Sequence, residues 1–100
     1  VDVLLRDGAG ADLPDHLRQI ADPAAPATYV PFADPRRRWE FKLADGEDAQ
    51  DARRPAAVRA RLAPFVGPDT VAVERAAVYT FHDLVARPWR RGRLVLAGDP

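Results

Sequence analysis

The sequence contains no cysteine and no methionine among its 100 residues. Without cysteine, disulfides, thiolate metal ligands and cysteine nucleophiles are excluded. Large apolar side chains are also scarce, because alanine supplies 19 of the 47 apolar residues. Val, Leu, Ile and Phe still number 24, which is above the range typical of disordered chains. We therefore expect a folded domain with a thin core.

An excess of charge of one sign is missing as well. Fifteen Lys and Arg residues balance fifteen Asp and Glu residues, so the composition predicts neither a nucleic-acid surface nor a polybasic membrane surface. No run approaches the ~18 apolar residues of a membrane span, and no signal peptide opens the chain. These absences predict a cytoplasmic protein. Ten prolines also exclude long helices.

The hydrophobic pattern predicts more strand than helix. Between residues 36 and 43, Trp39, Phe41 and Leu43 alternate with charged residues, which is typical of a strand with one apolar and one charged face. One short helix is expected at 55–63, with Pro55 at its first position and Pro64 after its end. Other strands are expected at 1–6, 16–21, 29–32, from Val71 onward, and at 93–97, the last as a covered strand.

This order of elements predicts an α+β fold, with a mostly antiparallel or mixed sheet and one short helix. The chain begins directly on a strand at Val1 and stops just after the apolar strand at 93–97. Natural domains usually end in polar residues. We therefore expect the chain to be part of a larger fold.

Several patterns that suggest chemistry have ordinary explanations. Gly8 and Gly10 follow a strand, but a third glycine is missing, so a dinucleotide-binding loop is rejected. The arginines beside Trp39 and Trp89 resemble a nucleic-acid patch, which the neutral net charge argues against. His16 and His82 have no spacing partners, so no metal site is predicted.

Two carboxylates are better placed to meet a ligand. Glu40 lies on the charged face of the 36–43 strand, which is either a solvated surface or a face turned toward a ligand. Asp99 follows Gly98 at the carboxyl end of the last predicted strand, a position where α/β sheets bind ligands. The same Gly-Asp pair is also an ordinary turn.

Three segments together resemble the FAD-dependent aromatic hydroxylases, in particular the branch that acts on 3-(3-hydroxyphenyl)propionate and related phenols. They are RRRWEF at 36–41, ERAAVYTFH at 74–82 and RGRLVLAGD at 91–99. The resemblance implies a middle portion of such an enzyme. Residues 1–92 would belong to its substrate-binding domain, and residues 93–100 would begin the return to its FAD-binding domain.

The resemblance also implies the ligands and the residues that meet them. FAD is the cofactor, NAD(P)H the co-substrate and a small phenolic aromatic the substrate. Asp99 corresponds to the carboxylate that contacts the flavin ribityl chain, Gly98 to the glycine beside it, and Arg38 to a basic position near the flavin ring. Glu40 and His82 are candidates for facing the substrate. The alternative is a stand-alone α+β binding or interaction module without catalysis.

Overall fold

The computed structural model describes residues 1–6, 10, 12–33 and 35–98. Within these residues the chain forms a five-stranded sheet, two short helices and a separate two-stranded ribbon, which confirms the predicted α+β class. The elements in chain order are β1 (Asp2–Leu5), β2 (Arg18–Ile20), β3 (Ala27–Pro31), β4 (Arg36–Phe41), α1 (Ala49–Ala52), α2 (Pro55–Leu62), β5 (Val71–Arg75), β6 (Arg90–Arg91) and β7 (Leu94–Val95).

The large sheet has the strand order β2-β3-β4-β1-β5, and every neighbouring pair is antiparallel. β4 is therefore the central strand. Its register places Trp39 opposite Tyr29 of β3, and Arg38 opposite Asp2 of β1. Because residues paired in this way point to the same face of the sheet, Trp39 and Tyr29 share one face while Arg38 and Asp2 share the other.

The core lies on the Trp39 face. Trp39 is completely buried, with its ring centroid 4.9 Å from that of Tyr29 and 6.3 Å from that of Phe65. Helix α2 covers this face with Val58 and Leu62, which are both buried in the same cluster. The predicted placement of Trp39 and Phe41 on the packed face is therefore confirmed. The strand was predicted to reach residue 43, but β4 ends at Phe41, and Leu43 lies beyond it and outside the core cluster.

Helix α2 begins at Pro55 and ends at Leu62, one residue earlier than predicted. A second helix, α1, was not predicted. It begins after Asp48, whose carboxylate accepts hydrogen bonds from the backbone amides of Gln50 and Asp51 at 2.8 and 3.0 Å. A capping aspartate of this kind accepts hydrogen bonds from backbone amides that have no partner within the helix. Its position in an acidic stretch, residues 45–48, had indicated only a turn.

Two predictions about the last third of the chain were wrong. The strand that begins at Val71 ends at Arg75, and residues 76–86 continue without regular structure. The predicted covered strand at 93–97 is only Leu94–Val95, which pairs with Arg90–Arg91 as a ribbon. Leu94 is 70% exposed because no other described element packs on this ribbon. An apolar sequence alone does not supply the partner that would cover it.

We expect replacement of Trp39 by alanine to prevent stable folding of this chain. Truncating a buried Trp costs about 3–5 kcal/mol, which is a large part of the total stability of a small domain. Trp89→Ala is the matched control, because Trp89 is 70% exposed; its effect should stay within about 0.5 kcal/mol. Urea unfolding followed by circular dichroism measures both, and equal losses for the two variants would contradict this core assignment.

Candidate functional site

The charged face of β4 forms one side of a cleft of about 1040 Å³. Asp2, Arg38 and Glu40 line it from the sheet, and Arg75 lines it from the end of β5. The segment that follows β5 contributes residues 76–81 to the lining. The cleft also extends past the sheet, because Phe41 of the apolar face and Ala52 and Arg61 of the two helices line it as well.

An ion pair between Arg38 and Asp2 lies at the centre of this face. Arg38 Nε donates to Asp2 Oδ1 at 2.6 Å, and Nη2 donates to Oδ2 at 3.3 Å. The guanidinium also lies 5.1 Å from the ring centroid of Phe32. The hydrogen bond from Arg38 lowers the pKa of Asp2, and the same bond raises the pKa of Arg38. The pair joins β1 to β4 and neutralises both charges.

A second ion pair lies on the same face of the sheet, beyond the cleft. Arg36 donates to both carboxylate oxygens of Glu74, at 3.1 and 2.8 Å. This contact lowers the pKa of Glu74. Neither residue lines the cleft. The pair fastens the edge strand β5 across β1 to the central strand, so its role is structural.

Glu40 is the carboxylate of the sheet that remains available to a ligand. It is exposed, it lines the cleft, and no described residue forms an ion pair or side-chain hydrogen bond with it. Its backbone is fixed by pairing with Thr28 of β3. The open position of Glu40 fits the expectation that this strand face meets a ligand.

Arg75 and Tyr79 form a contact that the sequence reasoning missed. Arg75 Nη2 donates to the Tyr79 hydroxyl at 2.7 Å, and the guanidinium carbon lies 5.8 Å from the ring centroid. Tyr79 in turn packs beside Phe81, with centroids 6.4 Å apart. One indication was available in the sequence. Among the odd-numbered residues from Val71 to Phe81, Arg75 is the only charged one.

The other predicted site residues do not gather around the cleft. His82 directly follows Phe81 but is exposed and does not line it. Gly98 lies beyond the ribbon with a φ of +85°, a backbone conformation that favours glycine. Asp99 lies outside the described residues. Arg38 and Glu40 are therefore the predicted residues that the structure brings together.

The described residues contain no group of three or more His, Asp or Glu side chains that could hold a metal ion. His16 Nδ1 lies 3.0 Å from Asp15 Oδ1 and lowers the pKa of that carboxyl. Both side chains are on the surface, and neither lines the cleft. None of the described helices has the length and apolarity needed to cross a membrane.

The chain is similar to parts of several curated aromatic hydroxylases. It is 33% identical over 90 residues to a probable NADH-specific resorcinol 4-hydroxylase of Rhodococcus jostii. It is 42% identical over 80 residues to a 3-(3-hydroxy-phenyl)propionate/3-hydroxycinnamic acid hydroxylase of Mycolicibacterium smegmatis, and 40% identical over 81 residues to one of Burkholderia cenocepacia. These matches confirm the resemblance inferred from the three sequence segments.

The matches cover most of this chain and a small part of each relative. They include 88%, 79% and 78% of the chain, but 17%, 14% and 15% of the three relatives in the same order. No known protein-family profile matches the chain, and no solved structure matches it. The similarity therefore concerns one segment of these larger enzymes.

We expect the Arg38–Asp2 pair to contribute on the order of 1 kcal/mol or less to stability, because it is partly exposed to solvent. The folded state lowers the pKa of Asp2. This contribution is therefore present above the ordinary Asp pKa of about 3.9 and is lost as the pH falls through the lower folded-state value. Urea unfolding of Asp2→Asn and the parent chain should differ at pH 6 and converge in strong acid.

The matched control for this pair is Asp51→Asn. Asp51 contacts Arg54 at 2.9 Å, but the two side chains are 61% and 74% exposed. This variant should match the parent chain at both pH values, because such exposed pairs contribute little. A difference between parent and Asp2→Asn that persists unchanged in strong acid would show that the Asp2 effect is not electrostatic.

Proposed function

We propose that this chain is part of an FAD-dependent monooxygenase that hydroxylates a phenolic aromatic substrate with O2 and NAD(P)H. The observation that carries the proposal is the 33–42% identity, over about 80–90 residues, to enzymes named as hydroxylases of resorcinol and of hydroxyphenyl acids. In this proposal residues 1–92 belong to the substrate-binding domain. Residues 93–100 lead toward the FAD-binding domain.

The exposed apolar residues after β5 support a longer polypeptide. Leu84, Val85, Trp89 and Leu94 are each more than 60% exposed, although monomeric proteins rarely leave large apolar patches open. The radius of gyration is 17.5 Å, compared with the ~13 Å of a compact 100-residue domain. Residues 82–98 would pack against further polypeptide of a longer enzyme.

Three residues, Gly98, Asp99 and Arg38, fit the proposed flavin. Gly98 has the positive φ and the open surroundings that a close backbone approach to a ligand requires. Asp99, which follows it, would accept a hydrogen bond from a ribityl hydroxyl, and Arg38 would present its charge near the flavin ring. When bound, reduced FAD would supply the oxygen-activating chemistry.

The residues of the cleft would position the substrate. Tyr79 and Phe81 supply an aromatic wall for the ring of a phenol, and Glu40 is available to accept a hydrogen bond from its hydroxyl. This contact would hold the ring in one orientation and withdraw the phenolic proton toward Glu40. His82 follows the aromatic wall, and it would reach the substrate only when further polypeptide covers the cleft.

The test uses the complete product of the gene that encodes this chain. We expect it to purify with flavin and to oxidise NADH or NADPH faster when a phenol is added, with a hydroxylated product detected by mass spectrometry. Glu40→Gln should retain flavin but lower kcat/KM about 10- to 100-fold, which corresponds to one lost charge-assisted hydrogen bond. Glu74→Gln is the control, because Glu74 is on the same sheet face but outside the cleft.

Two results would count against this function. A gene product that ends near residue 100, binds small aromatics and never oxidises a nicotinamide would instead support the stand-alone binding module. Equal kinetic losses in the Glu40 and Glu74 variants would show that Glu40 acts on the fold and not on the substrate.

Asp99→Ala in the complete protein tests the flavin contact separately. Loss of a charge-assisted hydrogen bond costs about 1.5–3 kcal/mol, or roughly ten- to hundredfold in FAD affinity. The variant should therefore lose flavin on dilution while its circular dichroism stays unchanged. Asp69→Ala, at an exposed loop position, should keep its flavin. Unchanged FAD affinity in Asp99→Ala would remove the ribityl assignment.

A further inference from the structure

The arginines that line the cleft differ in how their charge is neutralised. Arg38 is paired with Asp2, and Arg61 is paired with Glu47. Arg75 forms no ion pair with any described residue, and its side-chain hydrogen bond goes to a neutral hydroxyl. Arg75 therefore brings a positive charge to the cleft that no described residue neutralises by a direct ion pair, although the Asp2 carboxylate interacts with it electrostatically.

Two other cationic side chains of the cleft also lack an ion pair within the described part of the chain, but they are held differently. Arg53 donates to the Ala49 carbonyl and to the Gln50 side chain, so its guanidinium is occupied along helix α1. Lys42 follows the end of β4 and is exposed on a flexible four-carbon stem. Arg75 differs from both because an aromatic side chain holds its planar group.

The contact with Tyr79 orients Arg75 for binding. The Tyr79 hydroxyl accepts from one terminal nitrogen at 2.7 Å, and no described residue accepts a hydrogen bond from the other N–H groups of the guanidinium. A planar guanidinium can bind a carboxylate through two parallel hydrogen bonds. Holding the group in place before binding reduces the entropy lost when a ligand is captured.

Arg75 lies beside two aromatic side chains that also line the cleft. Tyr79 and Phe81 lie next to each other on the same side of the cleft, with ring planes tilted by 37°. An aromatic ring can pack on this wall at the centroid separations that such pairs prefer. A carboxylate attached to that ring by a short chain would then lie within reach of Arg75.

We propose that Arg75, held by Tyr79, binds the carboxylate of an aromatic acid and thereby selects carboxylated phenols over neutral ones. The inference rests on the proposed function, because it takes the cleft to be the substrate site. It goes beyond that function by naming the substrate's second polar group and the residue that recognises it.

The nearby carboxylates are compatible with this orientation. Asp2 has both oxygens occupied by Arg38, so it competes weakly for Arg75. Glu40 is unpaired on β4 and would repel a second carboxylate. The substrate acid would therefore lie at the Arg75 end of the cleft and the phenolic hydroxyl toward Glu40.

The test measures equilibrium binding to the complete gene product without NADH or NADPH, by isothermal calorimetry. The ligands are 3-(3-hydroxyphenyl)propionate and its neutral amide, which differ only in the group that Arg75 would bind. In Arg75→Gln, the Kd for the acid should rise about tenfold or more, while the Kd for the amide should change by less than about twofold. Tyr79→Phe keeps the ring and should cause a smaller selective loss for the acid.

The control is Lys42→Gln, which also removes an unpaired charge from the cleft and should leave both Kd values unchanged. The inference is overturned if the parent protein does not prefer the acid, if Arg75→Gln weakens acid and amide equally, or if Lys42→Gln produces the selective loss. Because binding is measured without turnover, a protein that hydroxylates phenols but shows no Arg75 selectivity would refute this inference alone. Absence of phenol-dependent turnover would refute the proposed function.

Discussion

The burial of Trp39 in the central strand is the constraint on which the rest of the structure depends. Trp39 is completely buried between Tyr29, Phe65 and helix α2. Because adjacent strand residues point to opposite faces, fixing Trp39 in the core forces Arg38 and Glu40 to the other side. The position of Arg38 and Glu40 in the cleft is therefore a consequence of core packing.

The charged residues on that face and at its edge differ in whether they form an ion pair. The Arg38–Asp2 and Arg36–Glu74 pairs connect β4 to β1 and β5, and each pair cancels its own field. Glu40 and Arg75 have no such partner among the described residues. An unpaired carboxylate and an unpaired guanidinium at different positions of one cleft suit a substrate with a hydroxyl donor and an anionic group.

The segment after β5 connects the site to the proposed larger enzyme. Its first residues, through Phe81, line the cleft, and its later residues expose apolar side chains to solvent. One continuous segment would then touch both the substrate and the polypeptide that covers it.

The sequence by itself determined the elements whose signal is local. The alternation around Trp39 predicted β4 and its two faces, and the prolines at 55 and 64 bounded helix α2 to within one residue. Local rules suffice there, because the alternation of apolar residues in a strand and the restriction of the backbone by proline both act over a few residues. The three segment resemblances likewise needed no coordinates.

Only the tertiary structure decided which charges are neutralised. Asp2 and Arg38 are 36 residues apart, and antiparallel pairing of β1 with β4 brings them together. The same holds for the exposure of Leu94 and Val95, since an apolar strand is covered only if another element packs on it. Ion pairing and burial depend on contacts between distant parts of the chain, and local sequence patterns carry no information about those contacts.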